Sequence, residues 1–574
     1  MTEYDLVIRG SEVIDGTGEP ARRADVAIAG SLIAEVGRCD GSARRVIEAD
    51  GLTITPGFVD IHTHYDGQAT WDDRMIPSSW HGVTTVVAGN CGVGFAPVHG
   101  EDHDRLIELM EGVEDIPGSA LHEGLRWDWS SFPEFMAAVE PRSFDVDVAL
   151  QVPHAALRLH VMGERGAQRE PATDDDIVEM AWRARQAIEA GALGFTTSRT
   201  RNHRSSSGEF TPTLTADSKE LLGIAAAIGE SGLGVLQAVS DFTDVESEFG
   251  LFRRMAEVSR RPLSFTLLAH RRDVWRRQLE LLDEANAAGV TMRGQVAPRA
   301  VGLLLGLECT LHPLMANPIY REVAGKSLTE RVAAMADPLF KARVFDAETS
   351  ADSRTSSALQ GFGEMFELGD PPDYEPQPST SIGERARREG RAPLDLAYDL
   401  MLADGGRGML YRPILNYEDG GLDAAGEMLA DAHTVVGLGD GGAHVGTICD
   451  ASFPTTLLAL WGRDRDHGRL PVPFLVHRQT AATARAVGLL DRGVVAPGFR
   501  ADLNVIDLPG LAARRPEIRY DLPAGGKRFV QRADGYAATM VAGQITYEQG
   551  EATEQLPGRL IRGARPAPRP GGSR

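Results

Sequence analysis

Two histidines, His62 and His64, give the clearest signal for chemistry in this sequence. They lie in PGFVDIHTHYDG, after an apolar run that predicts a buried strand. Side chains two positions apart on a strand share a face and are about 6.5–7 Å apart along it, so both imidazoles can reach one divalent cation. A lone His-x-His pair is common, but the flanking Pro-Gly and Tyr-Asp-Gly favour metal binding. The pair follows the apolar run, at the carboxyl end of the strand, where parallel α/β barrels place their chemistry.

Asp440 and Cys91 are the next candidates, because each follows a predicted strand and is surrounded by glycines. Asp440 lies in VVGLGDGGAH, where its carboxylate could bind the same cation and act as general base towards water. The alternative is an aspartate that only satisfies turn amides. Cys91 lies in VVAGNCGVGFAP and could be a third ligand, or a small apolar filler. We favour the site interpretation for both residues.

Further polar residues follow the other predicted strands, and each could contact a substrate or be an ordinary loop residue. Taken singly, His203 and His270 fit ordinary loop positions better. Arg299, in APRAVG, could pair with a substrate carboxylate, since such a pair in a water-poor cleft orients a ligand strongly. The candidates for substrate binding are His154, Ser198, Arg199, His203, Arg299 and His444.

The composition excludes several other classes of function. The chain has 574 residues and a net charge of −23, from 59 Lys and Arg against 82 Asp and Glu, which argues against nucleic-acid binding. Four scattered cysteines fit neither a disulfide scaffold nor a zinc knuckle. No signal peptide, apolar membrane span, nucleophile elbow, P-loop or dinucleotide fingerprint is visible, so we expect a cytoplasmic protein without a membrane partner.

Alternating strand-like and helical runs position these residues. This rhythm predicts a parallel sheet within residues 56–480, and eight strands suffice for a (β/α)₈ barrel of the TIM type. Thr173 and Asp217 are expected to cap two of the helices. The predicted strands span residues 57–62, 84–88, 147–152, 192–197, 234–238, 263–268, 290–295 and 434–438.

The rest of the chain predicts a second, smaller domain and one long insertion. Short strands in residues 1–55 resemble those in 481–556, which predicts a β-sandwich built from both ends of the chain. The insertion at 296–433 is far longer than a usual βα loop and could be a lid, a surface elaboration or an oligomer contact. Residues 557–574 are rich in Pro, Gly and Arg and are expected to be disordered.

Taken together, the motifs resemble the amidohydrolase superfamily, and most closely its N-acyl-D-amino-acid deacylase branch. The resemblance rests on PGFVDIHTHYDGQATWD, VVAGNCGVGFAP, GALGFTTSR, GDGGAH and RADLNVID, which keep their order through nearly the whole chain. It implies a metal-dependent α/β barrel beside a small β-sandwich, with one or two divalent ions, zinc above all. It also implies His62 and His64 as ligands, Cys91 as a bridging thiolate and Asp440 as ligand and base.

The sequence departs from this branch after strands five and six, where the resemblance implies further ligand histidines. Strand five carries Gln237 and no histidine, while His270 lies near the expected place after strand six and is our candidate ligand there. We predict a hydrolase that cleaves an amide C–N bond of a small molecule, most simply an N-acyl D-amino acid. A hydantoinase-like hydrolase of cyclic amides or lactones, or a decayed barrel that only binds, are the alternatives, and a homo-oligomer is left open.

Overall fold

A computed structural model describes residues 3–347 and 359–569. Its centre is a parallel eight-stranded sheet whose strands follow one another in chain order from one edge to the other. This curled sheet, with a helix-rich segment after each strand, is consistent with a TIM-like barrel. All eight predicted strands are confirmed, with shifted ends. They are β1 Phe58–Asp60, β2 Val83–Ala88, β3 Asp147–Pro153, β4 Gly194–Arg199, β5 Val235–Ser240, β6 Leu263–Thr266, β7 Met292–Val296 and β8 Thr434–Val436.

Helices follow the strands because their apolar faces cover the outside of the sheet. Thr173 caps its helix in a capping box with Asp176, and the Asp217 carboxylate accepts from the Glu220 amide, as predicted. The main helices are Gln68–Trp71, His103–Glu114, Gly118–Gly124, Phe132–Val139, His154–Met162, Glu164–Ala167, Asp174–Glu189, Ser218–Ser231, Val245–Ser259, Arg272–Ala287, Asp423–Ala430, Phe453–Thr456, Leu457–Asp464, Val472–Gln479 and Ala481–Ala486. None of the helices in the described ranges is both long and apolar enough to span a bilayer.

Strands from both ends of the chain form a separate β-rich domain, as expected. The structure arranges them in one nine-stranded sheet, in which Thr53–Pro56 pairs with Leu503–Ile506 and so joins the two halves. Its other strands are Glu3–Val13, Arg22–Ala29, Leu32–Gly37, Ser42–Glu48, Tyr536–Val541, Gln544–Glu548 and Glu551–Ala552. A hairpin of Glu517–Leu522 and Gly526–Val530 extends from this part of the chain.

The insertion between β7 and β8 forms a unit with its own apolar core. In this insertion, the amide of Thr310 donates to the carbonyl of Gly446, and the amide of Leu304 donates to the carbonyl of Thr447. The insertion therefore lies beside the loop that follows β8. Its role as a lid stays a prediction. Its elements are a three-stranded sheet of Val301–Leu305, Phe366–Glu367 and Leu410–Leu415, with helices Pro318–Arg321, Leu328–Met335, Pro338–Asp346, Ile382–Glu389 and Pro393–Gly406.

The expectation of a disordered C-terminal tail is wrong for residues 557–569. Leu560–Ile561 pairs in parallel with the start of β3, opposite Val148 and Ala149. The start of β3 extends beyond β4, and the tail fills the ladder positions left there, burying Leu560 and Ile561. The composition of the tail carried no sign of this pairing. Residues 570–574 lie outside the described part.

Candidate metal and catalytic site

The candidate site lies where the two edges of the eight-stranded sheet meet. The first strand ends at Asp60, so His62 and His64 follow it in a bend, and the predicted strand alternation is not what brings them together. Instead, the amide of His64 donates to Gly441 at 2.7 Å, and the amide of Asp440 donates to His62 at 3.0 Å. These bonds hold the segment after β1 against the segment after β8.

The turn that follows β2 holds Cys91 beside the point where the segments after β1 and β8 meet. Its backbone is left-handed, with a φ of 54°. Gly92 beside it, at a φ of 68°, packs so closely on the backbone of Thr197 and Ser198 that a β-carbon there would lie 2.8 Å from the Ser198 nitrogen. The Thr196 hydroxyl donates to the Gly89 carbonyl and accepts from the Gly92 amide, which fixes the turn on β4.

Three potential ligand atoms, from His62, His64 and Cys91, converge at this place, and a carboxylate oxygen of Asp440 approaches the two imidazoles. His62 Nε2 lies 3.2 Å from Cys91 Sγ and 3.4 Å from Asp440 Oδ1, and His64 Nε2 lies 3.7 Å from Asp440 Oδ1. The ligands of a tetrahedral zinc ion, with bonds of about 2.0–2.3 Å, stand about 3.4–3.6 Å apart. Within the described chain, His64 Nε2 and Asp440 Oδ1 are buried without a hydrogen-bond partner. A cation between them would satisfy both, so this set of nitrogen, sulfur and oxygen donors fits a divalent metal.

Two residues that the sequence did not single out contact the far sides of the imidazoles. His62 Nδ1 donates to Gln295 Oε1 at 2.7 Å, which leaves Nε2 unprotonated and directed at Cys91 and Asp440. His64 Nδ1 lies 3.2 Å from the Glu114 carboxylate, which is 1% exposed at the end of helix His103–Glu114. The bond to Gln295 fixes the orientation of the His62 imidazole, whereas the contact of Glu114 with His64 lacks hydrogen-bond geometry and acts through charge.

Burial and mutual charge set the ionisation of the group. Burial lowers the pKa of His62 to about 4 and raises that of the Cys91 thiol to about 12. For His64, burial acts to lower the pKa, but the charge of Glu114 and the contacts with Asp440 and Cys91 outweigh it and raise the value. For Asp440, burial is likewise outweighed, and contact with His64 and the charge of His62 hold the pKa below its ordinary range. Without a cation, these directions favour a protonated His64 beside an ionised Asp440.

Four of the other predicted site residues lie in or near this cluster. His203 Nδ1 bonds to the Ser198 hydroxyl at 2.9 Å, and besides burial, the nearby histidines lower its pKa. His444, which is part-exposed, lies 3.8 Å from Glu114 through Nε2. Arg299 is buried beside the loop after β8, donates to Asp450 and the Cys449 carbonyl, and lies over the Tyr374 ring.

Three other candidates are not brought into the cluster. His154 is 0% exposed, and its two ring nitrogens are taken by Thr197 and Glu220. Arg199 points to the outside of the sheet and pairs with Glu248 through both carboxylate oxygens. His270 is exposed and contacts the carbonyl of Leu268, away from the three residues His62, His64 and Cys91 whose ligand atoms lie within 4.8 Å of one another. Strand six ends at Thr266, four residues too early to direct His270 inward.

Comparison with known proteins identifies the chain. The profile of the amidohydrolase family matches residues 45–547. The chain belongs to this family. This amidohydrolase is 25% identical to the D-aminoacylase of Alcaligenes xylosoxydans xylosoxydans over 97% of both chains. It is 31% identical to the N-acyl-D-glutamate deacylase of the same organism over 52% of this chain and 57% of that one. It is therefore a hydrolase that acts on carbon–nitrogen bonds.

Among solved structures, the amidohydrolase shares its fold with an N-acyl-D-glutamate deacylase from Bordetella bronchiseptica complexed with zinc and a phosphonate mimic of the tetrahedral intermediate. The TM-score is 0.64 at 23% identity, over 98% of this chain and all of the other. A D-aminoacylase described as having a binuclear metal centre gives a TM-score of 0.65 at 23% identity, over 97% of this chain and all of the other. These likenesses show the fold that the chain shares with the two structures.

Proposed function

We propose that this amidohydrolase removes the acyl group from N-acyl amino acids of the D type. The substrate class is suggested by the relatives, a D-aminoacylase and an N-acyl-D-glutamate deacylase that match the chain over 97% and 52% of its length. The observation that carries the reaction type is the position of Asp440, whose Oδ1 lies within 3.4 Å and 3.7 Å of the two imidazoles across the join of the sheet.

In this proposal His62, His64, Cys91 and Asp440 hold a divalent ion, with zinc favoured by the mixed nitrogen and sulfur donors. A bound metal would polarise the amide carbonyl and lower the pKa of water to about 7. Asp440 accepts the proton of the attacking water and passes it to the leaving nitrogen, so that the C–N bond breaks as a free amine forms. Contact with His64 outweighs burial and lowers the pKa of Asp440, so the carboxylate is ionised.

The substrate enters from the side where Asp440 and His444 are part-exposed. His203 and Ser198 line the same end of the sheet from β4, and we propose that His203 and His444 face the substrate. Arg299 already pairs with Asp450, but its Nε and Nη1 have no hydrogen-bond partner among the described residues, which leaves donors for a carboxylate.

The test uses the purified chain loaded with zinc, with and without a chelator. The substrate panel is N-acetyl-D-amino acids, their L counterparts, hydantoins and lactones. Asp440→Asn should keep the fold and lower kcat/KM by about 10²–10⁴-fold at saturating metal, as expected for a general base. Asp50→Asn, at an exposed residue of the terminal domain, is the control. Full activity in Asp440→Asn would refute the assigned role, and preferred hydrolysis of hydantoins or lactones would replace the substrate class.

A further inference from the structure

Several inward-facing side chains of the eight-stranded sheet are polar, beside apolar ones such as Ala149 and Val239, whereas barrels of this kind are usually filled with branched apolar side chains. The direction of the side chains follows from their neighbours on the outside: Ser240 of β5 bonds to Glu248 on the next helix, and Phe265 of β6 packs on Phe249 there. Residues that alternate with these therefore face inward. The inward polar residues are Gln151 of β3, Thr196 and Ser198 of β4, Gln237 of β5, Ser264 and Thr266 of β6, and Gln295 of β7.

Most of these side chains have protein partners, whereas Gln237 and Thr266 have none among residues 3–347 and 359–569. Gln151 donates to Asn90 at 3.0 Å, for example, and Gln295 donates to Ser264 at 2.9 Å. Gln237 is 2% exposed, and within the described residues neither its amide nitrogen nor its amide oxygen has a hydrogen-bond partner. The buried hydroxyl of Thr266, on the neighbouring strand, is also unpartnered there. Unpaired buried polar groups destabilise a fold, so their retention calls for an explanation.

Gln237 faces the same interior as the candidate metal ligands. It is in register with Thr196, which holds the turn of Cys91, and with Ser264, which contacts Gln295 and through it His62. Gln237 therefore faces the same interior as Cys91 and His62. In the strand order, β5 lies four strands from β1, so Gln237 and Thr266 face the histidines from the other side of that interior.

We propose that Gln237 Nε2 and Thr266 Oγ1 are paired hydrogen-bond donors to the carbonyl oxygen of the scissile amide. The inference rests on the proposed function and deepens it. As the oxygen of water bonds to the carbonyl carbon, the π electrons of the C=O bond move onto the carbonyl oxygen, and they return when the C–N bond breaks. Gln237 and Thr266 lose no proton in either step. Neutral dipoles fixed before the reaction stabilise such developing charge effectively in a buried site.

The test compares Gln237→Met and Thr266→Val, which keep size and remove the donors, with the wild-type holoenzyme. The measurements are kcat and KM for its best N-acetyl amino acid, and Ki for the matching phosphonate, whose tetrahedral phosphorus replaces the scissile carbonyl. Each variant should lose about 10²-fold in kcat with KM changed by less than about threefold, and the phosphonate Ki should rise in proportion. Metal content should be unchanged. The melting temperature should stay the same or rise, since each substitution removes polar atoms that are buried without a partner.

Gln479→Met is the matched control, because Gln479 is equally buried but lies on an outer helix and donates to the Val59 carbonyl. It should lower the melting temperature and leave kcat and the phosphonate Ki unchanged. Wild-type kcat and Ki in both site variants would overturn the donor pair. Loss of metal from Gln237→Met would also overturn it and make the amide oxygen a ligand. If the wild type hydrolyses no N-acyl amino acid, the proposed function fails alone, and the Kd of an N-acetyl amino acid phosphonate, measured by calorimetry in the wild type and both variants, still decides whether the donor pair stands.

Discussion

Glu114→Gln should change metal binding without touching any proposed ligand. The carboxylate of Glu114 is 1% exposed, and its Oε1 lies 3.2 Å from His64 Nδ1, on the side of the ring that faces away from Cys91 and Asp440. Glutamine keeps the shape of the side chain and an oxygen acceptor, and removes only the negative charge. The variant therefore isolates the electrostatic contribution of Glu114 to His64.

Two effects of opposite sign follow from the loss of this charge. At 3.2 Å and an effective dielectric constant of about 20, a charged imidazole and Glu114 attract by about 5 kcal/mol. In the folded chain Glu114 helps to raise the pKa of His64, so a proton competes with the metal up to a higher pH than for an ordinary histidine. In Glu114→Gln the affinity for metal should reach its plateau at a pH lower by more than about one unit. The metal affinity at this plateau should fall about 10–100-fold, because the His64 imidazole is a weaker base without the charge of Glu114.

Competition titrations with a chromophoric chelator, repeated from pH 6 to 10, measure both effects. Glu108→Gln is the control, since Glu108 is exposed on the same helix. The ratio of variant to wild-type affinity should fall as the pH rises, because protons compete less with the metal in the variant at low pH and its plateau affinity is lower at high pH. Superimposable curves for wild type and Glu114→Gln would refute the idea that Glu114 acts through His64. If metal affinity fell by the same factor at every pH, Glu114 would act on His64 through ring orientation and not through its charge.

Two further variants test whether His270 is a metal ligand and how much the buried ion pairs of Arg492 stabilise the fold. His270→Ala should keep the metal stoichiometry and change the metal affinity by less than about twofold, since the exposed ring lies away from the other ligands; a loss of metal, measured by elemental analysis, would restore it as a ligand. Arg492→Met should lower the free energy of unfolding by about 3 kcal/mol, because it leaves the buried carboxylates of Asp147 of β3 and Asp502 with Arg500 as their remaining cation. Arg23→Met, at an exposed ion pair, should cost less than about 1 kcal/mol in the same denaturant titration.

The fold was readable from the sequence because local patterns and tertiary packing agree. Continuous apolar runs fit strands buried on both faces, and capped amphipathic helices fit the outer layer, so all eight strands were found. Their ends were less accurate: the first strand stops at Asp60, before the histidines. The tail was misjudged because two residues, Leu560 and Ile561, pair with β3 through a backbone ladder that composition does not reveal.

The site was only partly readable, because its second layer comes from residues that are ordinary in their local sequence. Glu114 lies in an acidic helix, MEGVED, where nothing separates it from its exposed neighbours before the helix is docked. Gln295 offered a weak signal, since a glutamine in a buried strand needs a partner, and Gln237 offered the same signal. His154 was predicted to bind substrate because it follows a strand. Its Nε2 instead bonds to the buried Glu220, a partner that the local sequence does not reveal.

Backbone strain is also present at the candidate site, as it is at non-glycine residues elsewhere in the described chain. Cys91, Leu438, Asp440 and His444 all adopt left-handed conformations, with φ between 45° and 62°. Such a conformation costs a non-glycine residue roughly 1–2 kcal/mol, and glycine would remove the cost. The chain uses glycine freely nearby, as at Gly92, yet keeps side chains at these strained positions. For Cys91 and Asp440 the strain is explained if the thiol and the carboxylate are needed where the two edges of the sheet meet, because only the bent backbone directs them at His62.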